Sequence, residues 1–148
     1  MANRVILAGR LGLDAKVSTI ANGAQMIVLS VATGVKWKDK VTNEDRGRTD
    51  WHRVVIFNDN VAKLATSMTK GRMVHIEAEL RYRMYVNPST QKEAWITEVV
   101  LDKGGRFEFL DARPKTAPAG DVSDGDEPPD WLSDQLPGEY HPTESEHA

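Results

Sequence analysis

Hydrophobic and polar residues alternate along several stretches of the chain, and this alternation predicts strands. Residues 49–57, Thr-Asp-Trp-His-Arg-Val-Val-Ile-Phe, are rich in β-branched and aromatic residues and repeat every two positions. One face of this strand then carries Trp51, Arg53 and Phe57, whereas the other carries His52, Val54 and Ile56, an ordinary core. Two large aromatics flanking a guanidinium make a poor core, but they suit a surface that stacks bases and pairs with phosphates.

Similar patterns predict the remaining elements. Further strands are expected over residues 4–10, 25–35, 73–86, 93–102 and 107–110. Asn22-Gly23 is the strongest turn signal in the first third of the chain, and the charged residues 36–48 predict a projecting hairpin loop. A single helix is expected to begin at Asn58 or Asp59 and to end at Lys70-Gly71, because apolar residues recur there at steps of three and four.

The order of these elements predicts a fold. Five or six strands with one helix between the third and the fourth is the order of the oligonucleotide-binding (OB) barrel. We therefore predict a mainly β protein whose residues 1–110 form a five-stranded Greek-key barrel with one short helix.

Composition divides the chain near residue 111. Residues 1–110 contain 17 Lys and Arg against 12 Asp and Glu, whereas residues 111–148 contain 2 against 10, together with six of the seven prolines. Such a tail cannot bury enough apolar surface to offset its ordering entropy, so residues 111–148 are predicted to be disordered. The basic body suits a polyanion, and the acidic tail suits a cationic partner or the body itself.

Composition also argues against several classes of protein. The sequence has no run of eighteen apolar residues, which argues against a membrane span. The apolar run near Met1 is too short for a signal peptide. The absence of cysteine excludes disulfides, thiolate zinc sites and cysteine nucleophiles, so we expect a cytoplasmic protein. The four histidines show no metal-ligand spacing, and no catalytic constellation is present, so neither an enzyme nor a cofactor is predicted.

The strand over residues 73–86 repeats the pattern of cations and aromatics. Arg81, Arg83 and Tyr85 share one of its faces, and Trp37 and Trp95 add further rings on neighbouring segments. Aromatic rings interleaved with cations are typical of single-strand binding, because every base has a face that can stack. The expected phosphate partners are Arg53, Arg81, Arg83, Lys36 and Lys38. A lone strand tryptophan is more often core, but an arginine on the same face favours a binding role, since a buried unpaired guanidinium is costly.

Several motifs resemble the bacterial single-stranded DNA-binding protein family, which has close relatives in phages. They include Val-Ile-Leu-Ala-Gly-Arg-Leu-Gly at 5–12, Asp-Trp-His-Arg-Val-Val-Ile-Phe at 50–57 and Ile-Glu-Ala-Glu-Leu-Arg at 76–81. They follow one another in the family's order and with similar spacing between residues 3 and 110.

The resemblance implies an OB barrel that assembles as a homotetramer and binds single-stranded DNA without sequence preference in replication, recombination and repair. It places Trp37, Trp51 and Phe57 on the family's stacking aromatics, and Tyr85 where a tryptophan is usual. It also matches His52 to a histidine associated with subunit contacts.

The tail departs from the family pattern. Members commonly finish in a run of aspartates and a short apolar end that docks partner proteins, whereas this chain finishes Thr-Glu-Ser-Glu-His-Ala. The nearest substitute is internal, at Asp130, Trp131 and Leu132. This segment is either a docking motif for replication and repair proteins or a solvated stretch in which Trp131 has no specific role.

Two other function classes stay open from the residues alone. An adaptor that acts mainly through protein contacts would bind single strands no better than duplex. A barrel nuclease would need clustered carboxylates and a metal ion.

Overall fold

The computed structural model describes residues 1–20, 22–58, 60–87 and 90–112. Within these ranges the chain forms seven strands and one short helix. In chain order they are β1 (Val5–Leu11), β2 (Lys16–Thr19), β3 (Gln25–Lys38), β4 (Asp45–Phe57), α1 (Val61–Ala65), β5 (Met73–Val86), β6 (Glu93–Leu101) and β7 (Arg106–Phe109).

Five of these strands close into a barrel, which confirms the predicted OB architecture. β1 pairs with β3 at one end and with β5 along most of its length, and β3 continues the sheet to β4. β4 then runs parallel to β6, which pairs with β5 and completes the ring. Each of these five strands pairs with a neighbour on both sides, so the sheet closes on itself. β2 and β7 extend the sheet on β3 and β5.

The alternation that predicted the strands places their apolar residues on the barrel interior. Val54 and Ile56 of β4 are almost completely buried, together with residues such as Leu29 of β3 and Ile76 of β5. A second, smaller apolar cluster lies on the outside of the wall, where Met26, Val28, Val55 and Val100 are also buried. Part of the outer surface therefore has an apolar base.

The structure differs from the predicted boundaries in three places. β3 and β4 continue into the predicted 36–48 loop and pair as far as Lys38 and Asp45, which leaves a tip of only six residues. β2 was missed, because it is a short strand whose residues are mostly exposed. The helix spans only Val61–Ala65, since the chain then turns inward and buries Met68 in the core.

An ion pair joins the first residue of the predicted tail to Arg72, directly before β5. Asp111 Oδ1 accepts hydrogen bonds from Arg72 Nε at 3.2 Å and Nη2 at 3.1 Å, and Oδ2 accepts one from the Met73 amide at 3.0 Å. Partial burial raises the Asp111 pKa, but these hydrogen bonds outweigh it and hold the pKa below its usual range. The Arg72 guanidinium also lies 3.5 Å from the centre of the Phe109 ring.

Asp111 therefore pairs with residues of the barrel, at the predicted start of the tail. Residues 113–148, with the predicted motif at Asp130, Trp131 and Leu132, lie outside the described residues. Within the part of the chain that is described, none of the helical structure is long and apolar enough to cross a membrane.

We expect Asp111→Asn to lower the free energy of unfolding by about 1.5–3 kcal/mol, the usual worth of hydrogen bonds to a charged group. Urea denaturation at fixed protein concentration measures it. Glu108→Gln is the matched control, because its ion pair with Arg106 lies on the surface of β7 and should contribute less than about 1 kcal/mol. Equal effects of the two substitutions would show that Asp111 is not part of the folded barrel.

Candidate nucleic-acid interface

The predicted binding residues of β4 lie on the outside of the barrel wall. We define the outer face as the outward surface of β3, β4, β5 and β6. Register places Ala32 beside Trp51, and Ser30 beside Arg53. The parallel pairing of Val55 with Val100 brings Glu98 of β6 alongside Arg53. The residues predicted to share one face in β4 thus do so, and β6 adds a carboxylate among them.

The aromatic rings of the outer face are only partly exposed. Trp51 and Phe57 are half-buried, and Phe57 packs against the outer apolar cluster of Met26 and its neighbours. Tyr85, two positions beyond Arg83 on β5, is half-buried as well. Packing limits the freedom of such rings, so these side chains would lose less entropy when a ligand stacks on them.

Arg53 and Arg83 are not exposed, which contradicts the sequence-based picture of them as surface cations. Their residues are 4% and 5% exposed. Glu98 Oε1 accepts hydrogen bonds from Arg53 Nε and Arg83 Nη2, both at 2.8 Å, and Oε2 accepts one from Arg83 Nε at 3.1 Å. Burial does not leave these guanidinium groups unpaired, because a carboxylate from a third strand accepts their hydrogen bonds.

Glu98 is the residue that sequence reasoning missed. It is 2% exposed and stands in the otherwise apolar run Ile-Thr-Glu-Val-Val-Leu, where a lone acid was the available signal. Burial raises its pKa, but the hydrogen bonds and charges of Arg83 and Arg53 outweigh burial, so the pKa is lowered. We call Arg53, Arg83 and Glu98 the buried ion cluster, and with two guanidinium groups and one carboxylate it keeps a net positive charge.

Two polar atoms, one in this cluster and one beside it, have no hydrogen-bond partner among the described residues. They are Arg53 Nη2 and Ser30 Oγ, and both are buried. Because Ser30 and Arg53 are register partners on β3 and β4, both unpaired atoms belong to adjacent positions of the outer face. The cluster therefore retains unused hydrogen-bonding capacity next to Trp51.

The remaining predicted cations differ in their availability. Arg81 is half-exposed but pairs with Glu79 at 3.1 Å and lies 3.7 Å from Asp102. Lys36 and Lys38 are exposed on the hairpin formed by the ends of β3 and β4. Among the predicted phosphate partners, these two lysines are the ones that the structure leaves most accessible.

Trp37 and Trp95 do not share the outer face. Trp37 is 47% exposed and lies across from Arg46, on the side of its hairpin opposite to Lys36 and Lys38. Trp95 is 68% exposed and lies across from Met84, on the side of the β5–β6 hairpin opposite to Tyr85. Each hairpin therefore presents aromatic side chains that the register separates from the outer face.

His52 occupies the inward side of β4. It is half-buried, and its Nε2 lies 2.7 Å from Thr33 Oγ1. Burial lowers the His52 pKa, and the nearby Asp50 carboxylate opposes this in part. The imidazole is therefore mainly neutral at pH 7, which suits a packed residue, and its role in subunit contacts stays a prediction. In the described ranges no group of three or more His, Cys, Asp or Glu side chains is arranged to hold a metal ion.

Comparisons with known proteins bear on the whole of this region. Residues 2–110 match the model of the Single-strand binding protein family. Proteins named single-stranded DNA-binding protein from Rickettsia typhi and Rickettsia prowazekii are each 42% identical over 100 residues, which are 67% of this chain and 65% of the relative. The match thus spans slightly less than two thirds of each relative's length.

A solved structure is also similar. A chain of the structure described as "Plasmodium falciparum SSB complex with ssDNA" aligns with this chain with a TM-score of 0.63 and 32% sequence identity. The similarity covers 75% of this chain and 97% of that chain.

Replacement of Glu98 tests the buried ion cluster. Glu98→Gln leaves two guanidinium groups buried without a carboxylate, so we expect the free energy of unfolding to fall by about 3–5 kcal/mol, measured with urea at pH 7. Glu79→Gln removes the exposed partner of Arg81 and should cost less than about 1 kcal/mol. If Glu98→Gln unfolds at the same urea concentration as the original chain, the cluster does not hold the strands together.

The stability of the original chain and that of Glu98→Gln should depend differently on pH. The Glu98 pKa in the folded protein lies below its ordinary value of 4.5, so its contribution is fully present above that value and is lost as the pH falls through the folded-state pKa. The stability difference between the original chain and Glu98→Gln should be constant from about pH 7 to pH 5.5, and should narrow below about pH 4.5.

Proposed function

Because this chain belongs to the single-strand binding protein family, we propose that it binds single-stranded DNA without sequence preference and performs no chemical reaction on it. The observation that carries the proposal is the outer face itself. Trp51, Phe57 and Tyr85 lie there around a buried cluster of net positive charge. The family match covers every strand that builds this face.

Stacking supplies the part of the affinity that does not depend on sequence. Each base stacked on an aromatic ring is worth roughly 1–3 kcal/mol, and all four bases can stack. Lys36 and Lys38 provide exposed charges for phosphates, and Arg81 contributes when it exchanges its surface carboxylates for phosphate. Arg53 and Arg83 act from below the rings as a fixed positive field, and Trp37 and Trp95 extend the path along the two hairpins.

Assembly and cellular role follow from the same proposal. We propose a cytoplasmic homotetramer, with His52 at a contact between subunits, that protects single strands during replication, recombination and repair. In this proposal Asp130, Trp131 and Leu132 recruit proteins of those processes.

The stacking role is tested by two matched pairs of variants. We expect Trp51→Ala and Tyr85→Ala each to weaken binding of oligo(dT) by about 1–3 kcal/mol, which is roughly 5- to 150-fold, in titrations that follow tryptophan fluorescence or anisotropy. Tyr82→Ala is the control for Tyr85, because Tyr82 is 59% exposed on the opposite side of the same hairpin. Ala32→Gly is the control for Trp51→Ala, because it changes the strand position beside Trp51 without removing an aromatic ring.

Three outcomes would contradict the proposal. Unchanged affinity in both Trp51→Ala and Tyr85→Ala would remove the stacking role. Equal affinity of the original chain for single strands and duplex would favour an adaptor. Cleavage of single strands in the presence of magnesium or calcium would show a nuclease.

The acidic tail offers a further test of DNA binding at the outer face. Residues 113–148 contain two Lys and Arg against nine Asp and Glu, so we propose that they compete with DNA for that face. Deleting them while keeping Asp111 should tighten oligo(dT) binding, more at about 20 mM salt than at about 200 mM, because salt screens the competition. A tail of equal length with its acids changed to amides should behave like the deletion, and unchanged affinity at low salt would refute the competition.

A further inference from the structure

Gly12 lies directly after β1, where the chain passes against the ring of Trp51. A β-carbon built at Gly12 would fall 2.3 Å from Trp51 Cζ3 and 2.8 Å from Cη2. Both separations are shorter than carbon atoms in proteins tolerate. The far edge of the indole ring therefore occupies the space that any side chain at position 12 would need.

The backbone at Gly12 has little freedom to move away. Its amide donates a hydrogen bond to the Ser30 carbonyl at 2.9 Å. The preceding residue, Leu11, donates to the Arg72 carbonyl at 2.9 Å and accepts from the Gly71 amide at 2.7 Å. Gly12 itself is buried. A side chain at this position would thus displace the ring rather than the strand.

The requirement for glycine at this position is one of space. Gly12 does not adopt the positive φ that favours glycine, unlike Gly23 and Gly71. The same missing β-carbon would lie 3.1 Å from Ser30 Oγ, next to the buried ion cluster. The edge of the Trp51 ring thus lies against the backbone directly after β1, where Gly12 is hydrogen-bonded to β3.

From this geometry we propose that Gly12 is a positioning residue for nucleic-acid binding, which holds Trp51 in the orientation that stacks a base. The inference rests on the proposed function, because it requires Trp51 to be a stacking residue. A ring fixed before binding loses less freedom when a base packs on it. Adding one methyl group at position 12 would push the ring away from this position.

A comparison with Gly9 separates this role from a purely structural one. A β-carbon at Gly9 would lie 2.2 Å from the Ala32 carbonyl oxygen, which is backbone and cannot swing aside. Gly9→Ala should therefore lower the stability of the barrel. Gly12→Ala meets the far end of the half-buried Trp51 side chain, which can shift, so its main effect should be on binding. Gly34 is the neutral control, since its β-carbon would meet only the Arg48 carbonyl oxygen at 3.6 Å.

The experiment is a double-mutant cycle in the full chain with oligo(dT) as the probe. We expect Gly12→Ala to weaken binding about fivefold or more, a part of the roughly 5- to 150-fold loss expected for a missing stacking ring. Gly34→Ala should change the affinity less than about twofold. In a Trp51→Ala background, Gly12→Ala should also have an effect below about twofold, because the ring is no longer there. The near-ultraviolet circular dichroism of the free protein should change in Gly12→Ala and not in Gly34→Ala.

Two results would overturn the inference. One is a Gly12→Ala protein that binds as tightly as the original chain, and the other is an equal loss with and without the Trp51 ring. If Trp51→Ala alone leaves binding unchanged, the proposed stacking at Trp51 fails. If Trp51→Ala weakens binding and Gly12→Ala does not, only the positioning role fails.

A second variant decides the question if Gly12→Ala does not fold. Trp51→Phe shortens the ring and withdraws it from Gly12, so the double variant Gly12→Ala, Trp51→Phe should fold and bind like Trp51→Phe alone. A double variant that stays unfolded, or that binds more weakly than Trp51→Phe, would overturn the inference.

Discussion

The outer face of this barrel depends on one buried carboxylate. Glu98 of β6 accepts hydrogen bonds from Arg53 of β4 and Arg83 of β5, and all three side chains are almost fully excluded from solvent. Desolvating three charges is costly, and a cluster of this kind is tolerated only when its geometry is good and its partners are all present. The cluster therefore ties three strands together on the side of the wall that faces away from the core.

This constraint explains why the candidate binding surface is rigid rather than a set of free side chains. The apolar cluster of Met26, Val28, Val55 and Val100 supports Phe57, and the backbone at Gly12 receives the edge of Trp51. Half-buried rings above a fixed positive cluster are already ordered before a ligand arrives, which reduces the entropy cost of stacking. The exposed charges of Lys36 and Lys38 are on the projecting hairpin.

Sequence alone predicted those features that depend on local pattern. The two-residue alternation located β5 and β6 almost to the residue, and residues 49–57 of β4, because each strand has one face in a continuous core. The short exposed β2 lacks that signal. The helix was predicted too long because the inward turn of Met68 into the core is a tertiary effect. The placement of Trp37 and Trp95 away from the outer face follows from hairpin register, which residue types alone do not encode.

The candidate site was predicted in its aromatic residues but not in its electrostatics. An arginine on the same face as a tryptophan indicated a surface cation, whereas Arg53 is buried and pairs with Glu98, forty-five residues away in sequence. Such long-range pairing is visible only once β4 and β6 lie side by side. Asp111 shows the same limit, because composition gives no sign of the hydrogen bonds that it accepts from Arg72 and Met73.

We propose that single-strand affinity comes largely from stacking on the outer face, with phosphate pairing as a separate, salt-dependent contribution. The most direct test is to measure affinity for a single-stranded oligonucleotide and for the corresponding duplex over a range of salt concentrations, and to extrapolate both lines to about 1 M salt. For the single strand we expect log affinity to fall against log salt concentration with a slope of about −0.7 per neutralised phosphate. Substantial single-strand affinity should remain at about 1 M salt, whereas duplex affinity should vanish. Single-strand and duplex lines that converge at 1 M salt would contradict it.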